Sequence, residues 1–188
     1  NSYSATSNPT IVGSGWKLSE NYIKRNINSS LNNLNDDKFE LVLDGAMHDL
    51  IYVPSEGKYH TKVETFMFIN KTTGGNNTKS EHWMLRTKDG ITYRFGYNFD
   101  SELVTNNYVQ NQFVSKWSLD LINDTYGNSV FYQYKENPNV DDIGSVYLDR
   151  IQYNEDKNRR IEFTYQSQNR SDLWTIYDQG NKVLDVLS

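Results

Sequence analysis

The chain has 188 residues, enough for one well-filled domain, and carries a net charge of −5. That acidic balance, with no dense Lys/Arg run, argues against nucleic acid or an anionic membrane surface as the main partner. The absence of Cys excludes a disulfide framework, a thiol nucleophile and thiolate metal sites.

No apolar run approaches the ~18 residues of a membrane span. The opening Asn1-Ser-Tyr-Ser-Ala-Thr-Ser lacks the charged start and apolar centre of a signal peptide. Hydrophobic content is only 36%, but 14 Tyr, 8 Phe and 4 Trp carry the apolar surface, and aromatics favour strands.

Residues 1–12 read as a flexible polar lead-in, and 13–188 as a single β-rich domain. In Gly13-Ser-Gly15-Trp16-Lys-Leu18, two glycines permit a turn, and Trp16, Leu18, Tyr22 and Ile23 supply apolar anchors. The helix and Lys-Ser/Thr that a nucleotide loop requires do not follow. After an Asn-rich loop (Asn26 to Asp37), Phe39 to Leu43 turns at Asp44-Gly45 into Met47 to Tyr52, a strong hairpin signal. Tyr59 to Phe68 reads as one strand, Lys71 to Ser80 as a loop, and Trp83 to Thr87 as a strand reversing at Asp89-Gly90 into Ile91 to Gly96. Tyr97 to Val114 reads as a loop.

The clearest unit is Trp117 to Tyr134. Trp117, Leu119 and Leu121 alternate with Ser118 and Asp120, then Val130, Tyr132 and Tyr134 with Ser129 and Gln133, so each flank has one buried face. Between them Asp124 accepts backbone hydrogen bonds, and Gly127 and Asn128 tolerate positive φ. Strands follow at Val146 to Tyr153, Arg160 to Tyr165, Leu173 to Tyr177 and Val183 to Leu187, the last two joined by Asp178-Gln-Gly180-Asn181, one residue shorter than the first turn. The recurring turn implies a weak hairpin repeat over 116–188. The fold class is therefore all-β: short antiparallel strands and hairpins forming a curved sheet or shell segment. A run of hairpins reaching Ser188 is expected to leave an open sheet edge, as in an excised piece of a larger shell.

The ordered series resembles the virulence-plasmid B protein and toxin-complex B component family (SpvB/TcdB-like), within the wider RHS/YD-repeat toxin group. Gly13-Ser-Gly15-Trp16-Lys-Leu18-Ser with Ile23-Lys-Arg25 is similar to its GxGWxLS…IxR segment. Tyr59-His-Thr61 with Glu64-Thr-Phe66, then Trp83, Lys88-Asp89-Gly90 and Tyr93-x-Phe95-Gly96, match its next elements. The most specific match is Trp117-x-Leu119-x-x-Ile122-x-Asp124-x-x-Gly127-Asn128-x-Val130-x-Tyr132-x-Tyr134. It continues through Tyr147 to Tyr153, Ile161 to Tyr165 and Tyr177-Asp178-x-Gly180, with Arg170-Ser171-Asp172 where the family carries Arg-Pro-Asp. The resemblance implies a structural segment of a large secreted toxin, walling in a toxic C-terminal domain not contained in these residues. Its implied partners are the remainder of the parent chain and other toxin-complex components.

Chemistry finds little support in the residues. His48, His60 and His82 form no His–His pair at i+2 or i+4 and read as surface or edge-strand residues. Asp36/Asp37 and Asp141/Asp142 lie in polar stretches and read as solvated loop charges. Asp124 and Asp178 read as turn residues in preference to calcium ligands. No catalytic, cofactor or metal residues are assigned, and the chain is expected not to be an enzyme. The competing reading is a carbohydrate-binding β-sandwich stacking sugars on Trp16 and Trp174; Trp83 and Trp117, each opening an apolar alternation, are expected in the core.

Overall fold

The computed structural model describes residues 18–28, 33–105, 112–136, 144–154 and 158–165, and the backbone of 174–178 and 181–185. Seven strands come first: β1 (Tyr22–Asn26), β2 (Lys38–Leu43), β3 (Ala46–Val53), β4 (Lys58–Thr61), β5 (Phe68–Thr73), β6 (Glu81–Arg86) and β7 (Thr92–Phe95). They continue with β8 (Glu102–Val104), β9 (Val114–Asn123), β10 (Ser129–Glu136), β11 (Val146–Tyr153), β12 (Arg160–Glu162), β13 (Trp174–Asp178) and β14 (Asn181–Asp185). Leu34–Asp36 and Phe99–Ser101 form single 3₁₀ turns. The protein is all-β.

Strands β1 to β7 pair antiparallel in chain order, and β9 then pairs with both β7 and β1, closing an eight-stranded ring. Closure gives every ring strand a neighbour on both edges, most thinly between β4 and β5, whereas the open edge expected at Ser188 lies outside the described residues. Strand β9 extends past the ring. Its first half also pairs with β8 and its second half with β10, from which β11 and β12 continue the sheet. Strands β13 and β14 form a separate two-stranded sheet.

An eight-stranded ring is just wide enough to be filled by side chains. Register places Ile23 opposite both Leu41 and Trp117, Phe39 opposite Leu50, and Trp83 opposite Phe95, so these side chains share the inner face. Trp83, Trp117, Ile23, Leu41 and Phe95 are fully buried. Trp83 lies 5.0 Å from Phe39, 4.8 Å from Tyr59 and 5.8 Å from Trp117, each ring meeting it edge-on. Such contacts add about 0.5–1.5 kcal/mol per pair beyond the burial of area. The core assignment of Trp83 and Trp117 therefore holds.

Three turns close with the chemistry of their residues. Asp44 (φ 50) and Gly45 (φ 82) are both left-handed, the two-residue reversal whose twist matches paired strands. At Asp89-Gly90, the Gly90 N–H donates to Thr87 O (3.0 Å) and the Thr87 N–H to Ile91 O (3.0 Å). At Asp124 to Asn128, Oδ1 of Asp124 accepts the N–H groups of Tyr126 and Asn128 (both 2.8 Å), and Oδ2 accepts Nδ2 of Asn128 (2.7 Å). These donors hold the Asp124 carboxyl below its usual range, the Asn128 side chain contributing most. Asp178 and Asn181 face each other as the last pair of β13 and β14, leaving a two-residue connection; Gly180 lies outside the described residues.

Four sequence expectations change. Tyr59 to Phe68 is not one strand: Oγ1 of Thr61 accepts the Thr65 N–H (3.1 Å), competing with the ladder, and Phe66 (φ 57) turns the chain between β4 and β5. The two strands consequently share a single register pair, Tyr59 with Ile69. Lys71 to Thr73, expected in a loop, completes β5. Tyr22 to Asn26 is a ring strand hidden by its polar alternation, because the inward residue after Ile23 is Arg25. The Tyr97 to Val114 segment contains the Phe99–Ser101 turn, which lies over the outward side chain of Asp120, and β8, which pairs with the edge of β9.

One glycine is fixed by packing. A Cβ on Gly96 (φ 70) would lie 2.2 Å from Cδ1 of Trp117. Gly96→Ala is expected to cost about 2–4 kcal/mol in urea denaturation, whereas Gly127→Ala, with φ 87 but open space around it, costs about 1 kcal/mol. Equal losses for the two variants would contradict the packing argument.

Candidate functional site

The outer face of β9 departs most from its sequence pattern. Ser118 and Asp120, expected to face solvent, are 4% and 1% exposed. The chain leaving Gly96 crosses over them, and every polar group it buries must find a partner. Asp120 supplies them. Its Oδ1 accepts Nε of Arg94 (2.7 Å); its Oδ2 accepts the N–H groups of Tyr97 (2.7 Å) and Asn98 (3.0 Å) and the Ser101 hydroxyl (3.1 Å). Arg94 also lies 4.1 Å from the Tyr97 ring. One carboxylate thus fastens the crossing segment to the hub strand.

His82, expected at a surface or sheet edge, is 7% exposed and meets Tyr97 edge-on at 5.1 Å. Burial, reinforced by Arg94, lowers its pKa and favours the neutral ring. Ser101, Asp120 and His82 nevertheless make no nucleophile–base–acid relay: the one Ser101 hydroxyl proton is shared between Asn98 O (2.8 Å) and Asp120 Oδ2 (3.1 Å), and Asp120 is committed to its other donors.

Beside this anchor lies a second acidic group. Asp100 Oδ2 accepts the Tyr134 N–H (2.8 Å), and burial raises the Asp100 carboxyl above its usual range. Glu102, 1% exposed, accepts the Thr78 N–H through Oε1, while its Oε2 has no partner among the described residues. Burial, then the Glu102 and Asp100 charges, push Glu136 up to about 7.

Inside the ring, Arg25 donates to Asp37 Oδ2 (3.0 Å) and Val114 O (2.9 Å), and its guanidinium lies 5.2 Å from Phe39 and 5.5 Å from Trp117. Asp37, read in sequence as a solvated loop charge, is thus a buried counter-ion. Lys71 pairs with Glu81 at 2.8 Å, and its burial lowers its pKa.

Apart from Glu136 and Oε2 of Glu102, these charges are paired or hydrogen-bonded components of the scaffold, and among the described residues no three His, Cys, Asp or Glu gather as metal ligands. Both oxygens of Asp124 are occupied by turn donors. No described helix is long and apolar enough to cross a membrane. Gly13, Gly15, Trp16, Asp141, Asp142 and Arg170 to Asp172 lie outside the described residues, as does the side chain of Trp174. On the surface of the described residues, a strip around Phe66 and Phe68 is bordered by two grooves.

The family model described as Salmonella virulence plasmid 65kDa B protein, SpvB, matches residues 55–185, more than half of the chain. The chain belongs to the SpvB family. Its fold is similar to that of the N-terminal domain of effector protein SpvB from Salmonella typhimurium strain LT2, with TM-score 0.74 and 18% identity over 98% of this chain and 78% of that one. It is also similar to part of the TcdB2-TccC3 crystal structure (TM-score 0.68, 15% identity, 98% of this chain, 12% of that one). A further match is the Tc holotoxin pore of Photorhabdus luminescens (TM-score 0.65, 16% identity, 98% of this chain, 11% of that one). At these identities the structural likeness is one of fold. No curated protein sequence matches. The chain is an SpvB/TcdB-like region, as its motifs imply.

Sequence alone does not single out Asp120, which sits in an ordinary strand alternation, Glu102, within a stretch read as a loop, or Glu136, just past the alternation that ends at Tyr134. The available signal was Asn98-x-x-Ser101 directly after Gly96, a capping pattern that marks a chain crossing instead of a free loop.

Asp120→Ala is expected to cost about 3–5 kcal/mol in chemical denaturation, since Arg94 and two amides lose a buried partner; a loss under about 1 kcal/mol would refute the anchor. Glu136 has a second, opposite signature. The unfolded carboxyl releases its proton near 4.5 and the folded one near 7, so the folded state binds more protons between them and stability falls as pH rises through that window. Glu136→Gln is expected to flatten this decline and to be more stable than the parent above pH 7; an unchanged decline would contradict the assignment.

Proposed function

We propose that this domain is a non-catalytic wall segment of a large secreted toxin-type protein, one that helps enclose a toxic cargo domain carried elsewhere in the assembly. The observation that carries the reading is the closed ring whose strand β9 runs on into β10, β11 and β12. A sheet that leaves a barrel this way suits a module built into a larger wall, because β12, which among the described residues pairs only with β11, has a second edge to which further strands can be added. Support comes also from scale: the same fold occupies 11% and 12% of the matched Tc chains. The buried charges of the described residues favour a structural role, each carboxylate of the Asp120 anchor serving a donor of its own scaffold. Its natural partners in this reading are the remainder of the longer chain and other toxin-complex components, outside the producing cell.

The test is limited proteolysis of the longer protein with and without this domain. Removing it is expected to expose the cargo domain to protease, while the isolated domain shows no hydrolase or transferase turnover. A cargo domain equally protected after removal, or turnover by the isolated domain, would overturn the proposal.

A further inference from the structure

Several aromatics of the described residues fill the core, but Phe66 is 68% and Phe68 40% exposed, next to Val63 at 78%. Phe66 is held outward at some conformational expense. Its φ of 57 is a left-handed conformation that bulky side chains avoid. The Phe66 N–H donates to Glu64 Oε1 (2.5 Å), and His60 spans Glu64 (3.4 Å) and Glu56 (2.9 Å), fixing the loop from below.

The charges around these rings are unusual for the molecule. Lys88 Nζ lies 4.5 Å from the Phe66 centroid, Lys58 Nζ 4.6 Å from that of Phe68, and Arg86 Cζ 5.9 Å from Phe68. Arg25, Lys71, Arg94 and Lys116 are each matched with a carboxylate. Lys58, Arg86 and Lys88 make no ion pair among the described residues, while the carboxylates bordering the strip, Glu56 and Glu64, are engaged by His60. The strip thus gathers three cations without an ion pair of their own among the described residues, beside two carboxylates that share the one His60 ring.

We propose that the strip of Phe66, Phe68, Lys58, Arg86 and Lys88 docks an extended segment of a protein partner that alternates carboxylate and apolar side chains. Such a segment offers side chains on two faces at a two-residue period. Its apolar residues lie on the phenylalanines, and its carboxylates meet cations already positioned against the rings. One groove beside the strip is lined by Arg86, Thr87, Lys88, Gly90 and Thr125; the other crosses the seam of β4 and β5 past Tyr59, Met67 and Ile69. Three cations are too few for the basic clusters that bind nucleic acid or anionic bilayers, and the net negative charge opposes both.

The experiment is fluorescence anisotropy of the 188-residue chain with a short fluorescein-labelled peptide of alternating Glu and Leu. A Lys–Leu peptide, phosphatidylserine vesicles and oligothymidylate serve as competing probes. Saturable binding of the Glu–Leu peptide is expected, weakened roughly tenfold or more by Arg86→Glu with Lys88→Glu, and likewise by Phe66→Ser. Both changes lie at exposed positions, and unchanged thermal unfolding verifies that each variant is folded. No saturable binding, equal binding of the Lys–Leu peptide, loss-free variants, or vesicles or oligothymidylate held through the same residues would each overturn the proposal.

Discussion

Everything in the ring depends on the backbone of β7 coming close enough to β9 for the sheet to close. That approach is possible only because Gly96 has no side chain where the indole of Trp117 lies. The Gly96 N–H then donates to Ser118 O (2.9 Å), and the Leu119 N–H on the opposite edge donates to Asn21 O (3.0 Å). Closure is thus a steric permission followed by a hydrogen-bonding obligation on both edges of one strand. A longer side chain at position 96 would not remove a contact; it would place an obstacle in the seam that makes eight strands a ring.

Strand β9 also explains why buried charge concentrates where it does. A strand paired on both edges and covered on both faces has no solvent side, so each polar side chain it carries must be satisfied internally. Asp120 meets this requirement with an arginine, two amides and a hydroxyl. On the neighbouring strands the match is less complete: Glu102 of β8 leaves Oε2 without a partner among the described residues, and the raised Glu136 carboxyl at the end of β10 is the electrostatic sign of the same shortfall.

The hairpins were legible from sequence because turn chemistry is local. Asp44-Gly45, Asp89-Gly90 and Asp124 to Asn128 fold by interactions within a few residues, and their signals lie in the same few residues. Closure and the second burial of β9 were not legible. Closure depends on contacts between distant segments, as Arg25 with the carbonyl of Val114, 89 positions away, illustrates, and the second burial on contacts 19 to 26 positions apart, as Asp120 with Ser101 and Arg94. A period-two pattern reports that one face is apolar; it cannot say whether the polar face will meet water or another segment of chain. The loop at Phe66 was hidden for the converse reason, since an exposed aromatic written into an alternating stretch imitates a strand.

The ring is unequal around its circumference. On one side β9 is bonded by several strands, whereas almost opposite, β4 and β5 meet through Tyr59 and Ile69 alone. Few backbone bonds mean a low free energy of local opening. The barrel is in this sense a cuff with a stiff spine and a clasp: tension passed along β9 from the sheet it anchors is relieved first at the clasp, so the spine and its cross-strand bonds outlast a breach of the wall.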